Sequence, residues 1–150
     1  MDSETPHFDT KNFSQKSHSR RIEKPWGHEI HWVPPELPYM GKVLHINKGC
    51  RLSLQIHDKK QESWFIIKGR AKVAWEDSDG RLSETELEEG KGYSTSIGQR
   101  HRLIGITDCD IIEVSTPEIG TTWRVEDDYS RPDETEEQRV IERSVKSGKI

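Results

Sequence analysis

RLSLQIH, residues 51–57, alternates apolar and polar side chains after Arg51 without a break. In an extended strand this sends Leu52, Leu54 and Ile56 to one face and Ser53, Gln55 and His57 to the other. Two groups able to bind a metal ion, an amide and an imidazole, therefore point the same way. The next run, ESWFIIKG at residues 62–69, places Glu62 on one face with Trp64 and Ile66. A hairpin between the two runs would carry the Glu62 carboxylate to Gln55 and His57. His101 opens the later run HRLIGI, directly after the turn-like SIGQR, and is placed to supply a fourth donor. Two neutral imidazoles, one carboxylate and one amide oxygen suit a single divalent ion of zinc, manganese, iron, cobalt or nickel, with water or substrate completing the coordination.

Outward from this stretch, the segments HEIHWV, KVLHIN, AKVAWE, SETELEE, HRLIGI, DIIEVST and TTWRVE read as further short strands. Turn signals at NKG, DSDG, GKG and PEIG separate them. The rhythm predicts an all-β sandwich or barrel and not alternating βα units. Residues 1–20 show neither helical nor alternating periodicity and read as a disordered N-terminal arm, leaving 21–131 as the domain. After Pro132 the composition turns acidic and then basic, and Asp133 precedes Glu136 by three residues as in a helix-capping arrangement. Residues 132–150 are therefore expected to form a polar tail or a short helix.

With 150 residues the chain closes one core, so one site on one barrel is expected. Charged residues (33 %) outnumber hydrophobic ones (30 %), a surplus that the two ends largely absorb. The net charge of -4 comes without a basic stripe, which argues against nucleic acid and anionic membranes and for a small-molecule partner. No secretory signal opens the chain and no apolar run approaches membrane length, so a cytoplasmic protein is expected. Cys50 and Cys109 lack CxxC spacing and read as reduced thiols, Cys50 a packed one.

These residues resemble a known family. Gly49, five residues, Gln55, one residue, His57, four residues, Glu62, six residues and Gly69 match the first cupin motif, with Gln in place of its first His. Gly90, five residues, Ser96, one residue, Gly98, two residues and His101 match the second, with Ser96 where Pro is usual and Gly105 where Asn is usual. A closer resemblance is to the cupin domain of type II phosphomannose isomerases. KPWGHEI, KGCRLSLQIH, GRAKV, RHRL, IIEVS and WRVEDDYSR follow that consensus in order over roughly residues 23–131. Where that family reads QxHxHRxEHW this chain reads QIHDKKQESW, so Lys59 and Ser63 stand at positions where histidine is common.

The resemblance implies a cupin double-stranded β-helix, a jelly-roll barrel, whose metal is held by Gln55, His57, Glu62 and His101. It further implies interconversion of mannose 6-phosphate and fructose 6-phosphate through a cis-enediol. That chemistry needs a base for a carbon-bound proton and stabilisation of the enediolate oxygen. Glu113, in DIIEVST, is the first candidate for the acid or base, followed by Lys59 and Lys42. For the phosphate, Arg131, Arg102 and Arg124 are the candidates, Arg131 first, because the guanidinium fork binds phosphate oxygens in pairs. Plainer readings stand beside these. Glu113 also fits a solvent-facing edge position, Arg131 a surface ion pair with Asp127 or Asp128, Lys59 and Lys60 solvated loop charges, and Trp26 a plug at a barrel end.

The same ligand set serves metal-dependent lyases and dioxygenases acting on small acids, and non-catalytic sugar-binding cupins, so both remain as alternatives. Leu52, Leu54 and Ile56, extended by Phe65 and Ile67, form an outward apolar face that predicts a homodimer pairing sheets.

Overall fold

The structure is a computed structural model and describes residues 4–144. Residues 4–19 form no strand or helix. The chain then makes β1 (Arg20–Lys24), β2 (Gly27–His31), β3 (Met40–Ile46), β4 (Leu54–His57), β5 (Glu62–Lys68) and β6 (Ala71–Glu76). β7 (Leu82–Glu86), β8 (Tyr93–Ser94), β9 (His101–Gly105), β10 (Cys109–Ser115), β11 (Thr122–Glu126) and the helix α1 (Glu136–Ser144) follow. Two antiparallel sheets result, ordered β1-β2-β3-β10-β5-β8 and β11-β4-β9-β6-β7, and close the expected all-β jelly roll. Among the described residues no helix is long and apolar enough to cross a membrane.

Two strands escape the alternation rule. β1, RRIEK, carries one apolar side chain, Ile22, which is fully buried, and β8 is only two residues long. The expected hairpin between β4 and β5 does not form. β4 pairs with β9 and β11, whereas β5 pairs with β10 and β8, so residues 58–61 carry the chain from one sheet to the other. That link, DKKQ, lacks the glycine or asparagine of a tight hairpin turn. Asp58 Oδ1 instead accepts a hydrogen bond from the Thr121 N–H at 3.0 Å, tying the link to the start of β11.

Along the inward faces the side chains change from apolar to charged. Ile46 and Leu44 on β3 give way to Lys42, and Cys109 and Ile111 on β10 give way to Glu113, all of them buried. Because His31 faces Lys42, Lys42 faces Glu113 and Glu113 faces Trp64, a single row crosses four strands. One end of the barrel is therefore an apolar core of Ile46, Trp64, Val73, Leu103 and Ile111, each contributing roughly 1.5–3 kcal/mol by burial. Its other end is a polar cavity. Trp26 belongs to this core and also lines the cavity floor. The preceding KPWG turn demands its glycine, since a Cβ at Gly27 would lie 1.9 Å from the His45 carbonyl oxygen.

The outward apolar face is not the continuous one expected. Leu54 is buried and Ile56 half-buried on the five-stranded sheet, while Phe65 and Ile67 stand exposed on the other. On that second sheet Phe65 aligns with Ile112, Val43 and Ile30 in a transverse apolar row.

Beyond β11, Thr122 and Glu134 bridge, and α1 begins. Its cap is Thr135, whose Oγ1 accepts from the Gln138 N–H at 3.1 Å, and not Asp133, which instead accepts from the Arg124 N–H. The helix docks with its polarity inverted. Val140 and Ile141 are exposed while Arg139 is buried, bonded to Glu134 Oε1 and to the carbonyls of Glu118 and Gly120. Glu142 pairs with Arg124, and Arg143 with Glu118.

Burial alone would raise the Glu134 carboxyl, but Lys24, Arg143 and Arg124 outweigh it and bring the pKa down to about 2. A group depressed from 4.5 to about 2 stabilises the fold above the unfolded value and loses that contribution as pH falls toward the folded one. Glu134→Gln is expected to lower stability at pH 7 by about 2–4 kcal/mol in denaturant unfolding. Between pH 4.5 and 2 the variant should lose less further stability than the parent.

Candidate metal centre

The polar end of the barrel collects donors from both sheets. On β4, Gln55 and His57 turn inward, and His101, the first residue of β9, lies directly opposite Gln55 in the ladder. Glu62, the first residue of β5, reaches them from the facing sheet. The four thus converge across the barrel interior and not along a hairpin. His101 Nε2 is 2.7 Å from Glu62 Oε1, and His57 Nε2 is 3.3 Å from the same oxygen. Gln55 Nε2 lies 3.4 Å from His57 Nε2 and 3.3 Å from His101 Nε2. The ligand atoms of His57, Glu62 and His101 all fall within 4.8 Å of one another, and all three residues are buried.

The outer nitrogens of both rings are engaged. His101 Nδ1 donates to the Gln99 carbonyl at 2.8 Å, which orients the ring so that Nε2 faces the cluster. His57 Nδ1 meets Thr122 Oγ1 at 2.8 Å. Burial, ahead of the opposing pull of Glu62, lowers the His57 pKa and keeps that ring neutral. Burial also works to raise Glu62, but Lys60 and hydrogen bonds from His101 and His57 hold its carboxylate well below the usual range. Gln55 Oε1 accepts from Ser53 Oγ at 2.9 Å, so its amide must turn over to offer oxygen to a cation. With a cation in place of the protons on their Nε2 atoms, two imidazoles, an ionised carboxylate and an amide make a donor set that fits a divalent ion.

Beside this cluster lies a second one. Lys60 Nζ stands 3.0 Å from Glu62 Oε2, 3.1 Å from Glu113 Oε2 and 3.7 Å from Glu118 Oε1. Lys42 Nζ is 3.2 Å from Glu29 Oε1 and 3.9 Å from Glu113 Oε2, and it also contacts Glu118. His31 Nε2 lies 2.8 Å from Glu29 Oε1. Glu113 receives the Trp64 indole N–H at 3.1 Å. Burial, reinforced by the charge of Glu62 and only partly offset by Lys60 and Lys42, pushes the Glu113 carboxyl up to about 7. Burial opposes the charge on both lysines, yet the surrounding glutamates keep their pKa values raised, so both remain ammonium ions. Glu29, Lys42, Lys60, Glu113 and Glu118 border a cavity of ≈ 50 Å³ that is also lined by Lys24, Arg124, Arg131, Glu134, Arg139 and Arg143.

The structure sorts the candidate residues. Glu113 is buried on a central strand, not exposed on an edge. Lys59 is exposed and outside the cavity, whereas Lys60, read as a solvated loop charge, is buried within it. Lys42 faces the cavity, where Glu118 and Glu29 favour its charged form. Arg102 follows inward His101 on β9 and so points outward, donating to the carbonyls of Leu52 and Glu126. Arg124 lines the cavity committed to Glu134 and Glu142, and Arg131 lines it in a two-bond pair with Asp127. Sequence reasoning missed Glu29, Glu118, Arg139 and Arg143. Alternation from Gly27 through Glu29 to His31 was the signal for the first, and the four-residue spacing of the two arginines was the signal for the last pair.

Comparison with known proteins agrees with this geometry. The family described as mannose-6-phosphate isomerase C-terminal matches residues 11–134. The alginate biosynthesis protein AlgA of Pseudomonas aeruginosa is 28% identical over 129 residues, covering 83% of this chain and 26% of AlgA. The chain therefore spans about a quarter of that relative's length. A single-site variant of oxalate decarboxylase from Bacillus subtilis is 18% identical with a TM-score of 0.61, covering 87% of this chain and 34% of that one. KdgF from Halomonas sp. is 15% identical with a TM-score of 0.55, covering 67% of this chain and 87% of KdgF. At such identities the solved structures establish the fold alone, the cupin jelly roll. With the family match running through 11–134 of 150 residues, the chain belongs to the mannose-6-phosphate isomerase C-terminal family, a cupin related to the sugar isomerases.

Proposed function

We propose that this chain holds one divalent metal ion through Gln55, His57, Glu62 and His101 and interconverts mannose 6-phosphate and fructose 6-phosphate. Family membership supports the sugar-isomerase class. One observation carries the mechanism: Glu113 on the cavity wall and Glu62 in the metal cluster share Lys60, at 3.1 and 3.0 Å, and their carboxyls are shifted in opposite directions. Environments that push neighbouring pKa values apart mark acid and base assignments.

The ion, when bound, supplies polarisation of the sugar's carbonyl and hydroxyl oxygens. The remaining work falls to side chains. Glu113 takes the carbon-bound proton from one carbon and returns it to the neighbouring carbon. Trp64 and Lys60 fix its two oxygens, so the carboxyl meets substrate in one orientation.

A second reading has a specific observation in its favour. A cavity of ≈ 50 Å³ lined by many cations suits a small acid, as a metal-dependent lyase or dioxygenase would take. Product analysis and oxygen consumption across a panel of small carboxylic acids would reveal that activity. As for assembly, the row of Ile30, Val43, Ile112 and Phe65, flanked by exposed Ile67 and Val114, supports a homodimer pairing the six-stranded sheets about a two-fold axis.

The full chain is expected to carry about one equivalent of divalent metal by elemental analysis. His101→Ala should lose that ion and, with it, the rise in melting temperature that added metal produces. Retention of wild-type metal content by the variant removes the assigned site. In a coupled assay with mannose 6-phosphate, Glu113→Gln should lower kcat by roughly 10²–10⁴ while leaving metal content intact. Because the base must be ionised, kcat/KM should climb with pH through the Glu113 pKa, about 7 without the ion's charge and lower with it. Absence of metal-dependent turnover in loaded protein removes the isomerase. Sizing at micromolar concentration should give a dimer, and Phe65→Glu a monomer.

A further inference from the structure

The cavity contains an anion of the protein's own. Glu118 lies on the connection between β10 and β11 and turns inward until its side chain is only 8 % exposed. Three cations meet it there, each from a different part of the fold. Lys42 on β3 donates to Oε1, Lys60 on the β4–β5 link stands 3.7 Å from the same oxygen, and Arg143 on α1 meets Oε2. The arrangement is imperfect for a carboxylate. Arg143 uses Nη2 on Glu118, while its Nε is buried with no hydrogen-bond partner among the described residues. A guanidinium presenting both Nε and Nη2 is shaped for two oxygens of one group, and a phosphate supplies three or more.

Space points the same way. Small-molecule pockets run to roughly 300–1,000 Å³, far above the ≈ 50 Å³ left here. About half of the wall is strand, held by ladder hydrogen bonds. The Glu118 connection and α1 are the parts held instead by side chains, chiefly through Arg139 to the Glu118 and Gly120 carbonyls. Withdrawal of Glu118 would both enlarge the cavity and leave Lys42, Lys60 and Arg143 facing inward. Glu29, Glu113 and Glu134 would then be their remaining carboxylate neighbours outside the metal cluster.

We propose that Lys42, Lys60 and Arg143 seat the phosphate group of a small phosphate ester, and that Glu118 fills this seat until the ligand displaces it. The inference rests on the sugar-phosphate reading above and deepens it. It also relocates phosphate recognition from Arg131 and Arg124, whose guanidiniums are committed to Asp127, Glu134 and Glu142, to Lys42, Lys60 and an arginine of α1, the helix beyond the family match. An internal competitor lowers apparent affinity by the fraction of chains in which the seat is open. Glu118 therefore makes the site selective for ligands that outbid a carboxylate.

The test titrates inorganic phosphate into the full chain at pH 7, by calorimetry and thermal shift. Glu118→Gln should bind phosphate about tenfold or more tightly than the parent, because removal of the competing charge opens the seat. Arg143→Met should weaken it by about tenfold or more. Equal or weaker binding by Glu118→Gln overturns the proposal. If that variant does not fold, unchanged phosphate affinity in Arg143→Met overturns it instead. Titration of mannose 6-phosphate and of mannose on the same proteins separates the ester from its sugar: only the ester should respond to either substitution, and an equal response from mannose overturns the assignment. A chain that takes phosphate in this Glu118-dependent manner yet leaves mannose 6-phosphate unconverted keeps the seat and removes the isomerase.

Discussion

Burying ionised carboxylates inside a β barrel is the constraint around which this molecule is built. Glu29, Glu62 and Glu113 are each less than one-tenth exposed, and Glu118 joins them from a loop. Desolvation of one such charge costs several kcal/mol when nothing compensates it. Lys42 and Lys60 offset that cost by standing between the glutamates, each within 4.0 Å of three of them. The balance is uneven, and the unevenness is useful. Glu62, bonded by two imidazoles as well as Lys60, stays ionised, while Glu113 is left near neutrality.

Register turns this balance into position. A shift of one residue in β10 would send Glu113 to the solvent face and Ile112 into the cavity. The apolar half of the same strands, Ile46 against Cys109 and Leu44 against Ile111, prevents that shift because a slip would expose the whole core. Packing at one end of the barrel therefore locates the chemistry at the other.

Nine of the eleven strands were legible in the sequence because they alternate, and so was the convergence of Gln55, His57, Glu62 and His101, because two spaced motifs carry it. Their route of convergence was not legible. Spacing alone cannot distinguish a hairpin from a crossing between sheets, which is set by the ladders of β4 with β9 and β11 and of β5 with β10 and β8. Charges fared worst. Lys59 and Lys60 are adjacent and chemically identical, yet the first is exposed and the second buried, a difference set by the path of a four-residue link. Arg124 looked like an anion anchor until its carboxylate partners Glu134 and Glu142, farther along the chain, came into view, whereas the Asp127 that pairs with Arg131 was already one of the plainer readings. The arginines of α1 were hidden for a related reason: a helix that buries charge and exposes Val140 and Ile141 reads from sequence as a loose surface element.

The origin of the donors in two sheets has a kinetic side. Gln55, His57 and His101 belong to one layer and Glu62 to the other, so a cation held among them acts as a cross-brace between layers that otherwise meet through side-chain packing. Its escape and the momentary parting of the two layers then become one event. Exchange of the ion should be slow for the same reason that the barrel opens rarely, and a chelator in solution would have to wait for the protein to breathe.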